Sequence, residues 1–139
     1  MIASRPVRAL FLALALTAGC GDVGEDALPR VEPLSRTEFT DLIESFFEYE
    51  PLQAGRASQF RIHLTDLAEG TPVALADVTL KLLSGSKPVA EARGRPGSVA
   101  GIYLAELTPS APGVFDVELQ VKTAALDETM RISGFTVAE

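Results

Sequence analysis

The chain has 139 residues, with 12 basic against 19 acidic side chains, a formal net charge of −7, one histidine and one cysteine. That length supports one hydrophobic core and excludes two ordinary domains. An acidic excess spread over the whole chain suits solvation better than a cation site, and it makes nucleic acid and anionic lipid head groups poor partners.

Arg5 and Arg8 precede an apolar run, and Ala18 and Gly19 lead into the lone cysteine, Cys20. A charged start, an apolar middle and a small-residue end form a secretory signal, and the run falls well short of the ~20 residues that span a bilayer. Its end, Leu16-Thr17-Ala18-Gly19-Cys20, resembles the lipobox of bacterial lipoproteins. The resemblance implies that residues 1–19 are a signal peptide cleaved after Gly19, that the Cys20 thiol is diacylated, and that the new amino group is acylated. Thr17 departs from the leucine usual three residues before the cysteine, which lowers the expected efficiency of cleavage. The rival readings are an ordinary secretory peptide with an incidental cysteine, or a buried helix. Loss of Arg5 and Arg8 leaves 10 basic against 19 acidic side chains, about −9. With Cys20 taken by lipid the folded part has no thiol, so neither a disulfide nor a cysteine-ligated metal is expected. No cofactor is expected beyond that covalent lipid.

Residues 21–36 are rich in acid, glycine and proline, without a sustained apolar period. With Cys20 they read as a flexible linker, residues 20–36, and sixteen such residues hold a domain ~20–25 Å from its anchor.

From residue 37 the pattern changes to short runs of period two separated by turn residues. This predicts a single all-β domain over residues 37–139, a seven-stranded antiparallel Ig-like β-sandwich. Residues 42–49 form the first run. A helix through residues 37–47 also fits Leu42, Ile43, Phe46 and Phe47, but Pro51 and Gly55 end the run and strands follow, so strand is preferred. In residues 59–64, Phe60, Ile62 and Leu64 face one way and Gln59, Arg61 and His63 the other. Residues 66–73 are a loop with Gly70 and Pro72 as breakers. Residues 77–83 follow with Val78, Leu80 and Leu82 inward, and a reversal at residues 84–87 leads to a weak strand at 89–92 suited to a sheet edge. Gly94-Arg95-Pro96-Gly97 is the strongest turn signal. Residues 101–107 present either Ile102 and Leu104 or Tyr103 and Leu107 inward. In residues 114–122, Phe115, Val117, Leu119 and Val121 alternate with polar side chains. After a turn at residues 126–128 the last run, 130–137, places Met130, Ile132, Phe135 and Val137 inward across a bulge at Gly134.

Few residues carry chemistry. A hydrolytic triad or a usual zinc site lacks its parts with His63 alone. His63 with Asp66 and Glu69 is a weak metal candidate, and nothing in the spacing demands it; an exposed or cross-strand hydrogen-bonded histidine is the plainer reading. Met130 reads as core, since soft-metal sites need several sulfur ligands. The acid pairs Glu48/Glu50 and Asp127/Glu128 lack the glycine-spaced oxygen ligands of a calcium loop. The glycines at 94, 97 and 101 form no phosphate loop, because no helix follows them.

The order of segments is more informative. Phe47-Glu48-Tyr49, Pro51-Leu52 and Gly55 are followed by Phe60 and His63-Leu64-Thr65, Pro72-Val73, Arg95-Pro96-Gly97, Pro109, and Pro112-Gly113-Val114-Phe115. Over residues 44–137 this resembles the N-terminal sandwich module of periplasmic adaptor subunits, the membrane fusion proteins of RND-type efflux systems, and the related YtkA-like modules. The resemblance implies a binding or assembly domain, accessory to an efflux system and without catalysis. It places the domain in the periplasm, or otherwise outside the cytoplasmic membrane, held by the lipid and contacting an envelope protein. The helical hairpin, lipoyl-like domain and β-barrel of an adaptor are missing, so the chain is not expected to bridge a pump to a channel. The methionine or histidine clusters of copper and silver adaptors are missing too. The alternative is a periplasmic metal-ion or small-ligand sensor built on His63 and nearby carboxylates.

Overall fold

Alternating side chains and frequent turn residues favour short paired strands, and in the computed structural model, which describes residues 31–139, about two thirds of the residues are in strands and none is in a helix. Ten strands form: β1 (Leu34–Phe39), β2 (Ile43–Tyr49), β3 (Leu52–Gln53), β4 (Ser58–Asp66), β5 (Thr71–Pro72), β6 (Asp77–Ser84), β7 (Lys87–Pro96), β8 (Ile102–Leu107), β9 (Gly113–Lys122) and β10 (Asp127–Ala138). They follow one curled path, β1-β2-β4-β8-β7-β6-β9-β10-β3, with β5 beside β4. Every pairing is antiparallel except β10 with β3. The fold is therefore all-β, but a mixed sheet of ten strands replaces the seven antiparallel strands expected.

Each difference has a local cause. Residues 34–36, expected in the linker, are the first half of β1. Arg36 points inward, where its guanidinium lies 4.7 Å from the centre of the Phe135 ring and donates to the carbonyls of Ser133 (2.8 Å) and Gly134 (3.1 Å). Those carbonyls are turned out by the bulge between Ile132 and Phe135, where Gly134 has φ 83°. The expected edge strand at 89–92 is longer and crosses between strand groups. It pairs with β6 through Gly94, then with β8 through Arg95 and Pro96. Gly94 marks a close approach here and no turn: a Cβ would sit 3.0 Å from Val78 Cβ and 3.4 Å from Tyr103 Cβ. The reversal comes later, closed by the Gly97 amide donating to the Ile102 carbonyl at 2.7 Å.

The core lies between β2, β4 and β8 on one side and β6, β9 and β10 on the other. Phe60, Ile62 and Leu64 are buried, as are Val78, Leu80 and Leu82, and Val117, Leu119 and Val121. Phe46 and Phe47 separate to opposite faces of β2, with Phe47 in the core, as a strand requires and a helix would not. On β8 the inward set is Tyr103, Ala105 and Leu107. An aromatic cluster packs one end of the core: Tyr49 stacks on Phe60 at 5.1 Å and Phe47 on Phe135 at 6.2 Å.

Candidate interaction surface

The lipidation residue Cys20, the signal peptide at residues 1–19 and most of the linker lie outside the described residues. Of the other candidates, His63 sits in the middle of β4, opposite Phe46 on β2 and Ile102 on β8. Its ring meets Phe46 edge to face at 5.4 Å, and its Nε2 is buried without a hydrogen-bond partner. Asp66 is three residues further along the same strand, hence on the other face. Its Oδ1 accepts from the amides of Ala68 (2.8 Å) and Glu69 (3.0 Å), shaping a turn, while Glu69 points to solvent. The fold does not bring the three together, and among the described residues no group of three or more metal-ligating side chains converges. Met130 is in the core. Glu48 faces Arg61 at 3.8 Å and Asp127 faces Lys122 at 3.4 Å. The turn expected at residues 126–128 lies at 123–126, tied by the Thr123 hydroxyl accepting from the amides of Ala125 and Leu126.

The more unusual surface lies elsewhere. Strand direction sorts the connections into two ends. One end holds Val31, β3, the turn after it and the loop containing Pro109, joined by the Ala54 amide donating to Ala138 and the Gly55 amide donating to Pro109. The distal end gathers the turns at residues 40–42, 67–76, 97–101 and 123–126. The first three are knitted together: the Leu67 amide donates to the Leu42 carbonyl at 2.9 Å, the Leu64 amide donates to the Gly101 carbonyl at 2.9 Å, and Gly101 packs against Pro72.

Apolar side chains project from these turns. Leu42 is 48% exposed, Leu67 42%, Val99 59% and Leu75 95%. Leu75 also has φ 55°, the left-handed conformation, and is alone in this among the non-glycine residues described. A leucine there costs about 1–2 kcal/mol in backbone energy. What holds it is Tyr103, buried on β8, whose hydroxyl donates to the Val73 carbonyl (2.8 Å) and accepts from the Ala76 amide (2.9 Å). The two bonds clamp the loop on both sides of its tip. Beside the tip a shallow cleft of about 290 Å³ opens between Leu42, Pro72, Ala74, Ala125 and Leu126.

Acidic side chains outnumber basic ones around these turns. Asp41 adjoins Leu42, and Asp66 and Glu69 bracket Leu67; among the described residues none of the three is in an ion pair. Of the nearby cations, Arg93 and Lys122 are matched by Asp77 (3.7 Å) and Asp127 (3.4 Å), and Arg95 is exposed without an ion-pair partner among the described residues. Leu67, Leu75, Val99 and Tyr103 were not apparent as a site in the sequence. The available signal was the placing of large aliphatic residues between turn-forming ones.

No protein-family model matches the chain, and no curated protein is significantly similar to it.

Proposed function

We propose that the chain is a lipid-anchored binding and assembly module of the cell envelope, non-catalytic, and accessory to an RND-type efflux system. The observation that carries the reading is the stretch from Leu10 to Cys20, whose apolar run and small residues before the cysteine fit lipid attachment. The efflux assignment is supported by the adaptor-like order of segments over residues 44–137. An Ig-like arrangement is supported by two strand groups that enclose one core. A module of this kind acts by contact, for which exposed apolar turns are suited.

The test is membrane fractionation of the native host with mass measurement of the mature amino terminus. Triacylated Cys20 in the membrane fraction, lost in Cys20→Ser, is expected. A soluble, unlipidated product would overturn the anchor.

A second reading, a periplasmic metal-ion or small-ligand sensor, is favoured by one observation, the buried and unpartnered Nε2 of His63. Titration with copper, zinc and nickel distinguishes it: binding heat that disappears in His63→Ala supports the sensor, and heat that is absent or unchanged in His63→Ala removes it.

A further inference from the structure

We infer that the distal turns form a docking tip for a protein whose contact surface is apolar at its centre and basic at its rim; this rests on the assembly reading above. Leu75 is the starting point. Its side chain is almost wholly in water and its backbone is in a conformation that suits glycine, so it is unfavourable for the folded chain on two counts. The Tyr103 hydroxyl nevertheless fixes the loop on either side of it. Strain held in this way belongs to residues positioned for contact.

Leu75 does not stand alone. Leu42, Leu67 and Val99 come from neighbouring turns that share backbone hydrogen bonds or packing, so the exposed apolar surface is presented by a braced scaffold. Preformed apolar contacts bind with a smaller ordering cost than mobile ones.

Charge selects the occupant. Asp41, Asp66 and Glu69 border the apolar tip without ion-pair partners among the described residues, against a single nearby unpaired cation, Arg95 on β7; Arg93 and Lys122 are matched. A second copy would set one acidic rim against another. An anionic bilayer would meet the same repulsion. A protein surface with lysine or arginine around an apolar centre satisfies both parts of the tip. Chain direction agrees: the segment before Leu34 joins at the end of the domain opposite the tip.

Photo-cross-linking in the native host tests this on the full chain. A photoreactive phenylalanine analogue is placed at Leu67, Leu75 or Val99, and at Val114 on the opposite end. The tip positions should each give one protein adduct whose cross-linked peptide is apolar with basic neighbours. The double variant Asp41→Lys with Glu69→Lys, and separately Leu75→Gly, should lower adduct yield by about tenfold or more, with thermal melts showing both variants folded. Adducts at Val114 alone, adducts between two copies, adduct yield unchanged by charge reversal, or co-sedimentation of the unlipidated Cys20→Ser chain with phosphatidylethanolamine and phosphatidylglycerol vesicles that Leu75→Gly abolishes would each overturn the docking tip. Adducts at Val114 alone would leave the assembly reading standing, whereas no protein adduct at any position would sink both.

Discussion

Replacing Tyr103 by phenylalanine removes one oxygen atom and leaves the buried ring in place, which isolates the clamp on the distal loop. Two hydrogen bonds disappear, to the Val73 carbonyl and from the Ala76 amide. Each contributes about 0.5–1.5 kcal/mol net, and a buried group left without a partner adds to the loss. No cavity larger than a hydroxyl opens, so packing terms are small. The expected destabilisation is about 2 kcal/mol, a melting midpoint lower by roughly 10 °C for a domain of this size. Urea unfolding followed by circular dichroism gives the first number. Amide exchange gives the second readout, because the Ala76 amide should exchange much faster while amides of β4 and β9 keep their relative protection. A loss below about 0.5 kcal/mol with Ala76 exchange unchanged would refute the claim that this hydroxyl sets the loop.

Other substitutions probe other joints. Leu75→Gly should stabilise the domain by about 0.5–1 kcal/mol in urea, since it relieves the left-handed backbone more than it loosens the unfolded chain. Arg36→Ala removes two hydrogen bonds and a cation–π contact between the first and last strands, so a loss of about 1–2 kcal/mol is expected, with Arg36→Lys recovering part of it; a loss within measurement error would mean that β1 docks without this side chain. Gly101→Ala should be among the most damaging small changes, because φ is 79° and the added Cβ would lie 2.6 Å from Pro72 Cβ; about 2–4 kcal/mol is expected by thermal melting.

How much of this was legible depended on whether a strand has one wet face. In β4 and β9 charged and polar residues alternate with Phe60, Ile62 and Leu64, or with Val117, Leu119 and Val121, and the inward sets were readable directly. Strand β8 has no such contrast. Ile102 and Leu104 are half-buried on its outer face, and the inner face carries Tyr103 with a polar hydroxyl, so hydropathy alone left the parity open. Gly94-Arg95-Pro96-Gly97 misled because glycine and proline were read as a turn, whereas Gly94 admits two neighbouring side chains and Pro96 ends a strand where its missing amide matters little. β1 was hidden because the partners of Arg36 lie 97 and 98 residues away in sequence. The two-residue strands β3 and β5 are too short to show any period. The distal surface escaped for a related reason: its leucines sit in stretches whose breakers announce a loop, and only the folded arrangement shows them gathered at one end.

The parallel join of Leu52 and Gln53 to Val137 and Ala138 has a consequence for how the molecule comes into being. A chain emerging amino end first makes its early hairpin partners quickly, yet the seam from β3 to β10 cannot be sewn until residue 138 has arrived. Long-range closures of this kind slow folding. Until residue 138 is free to pair, β3 has no strand beside it and that end of the sheet stays open.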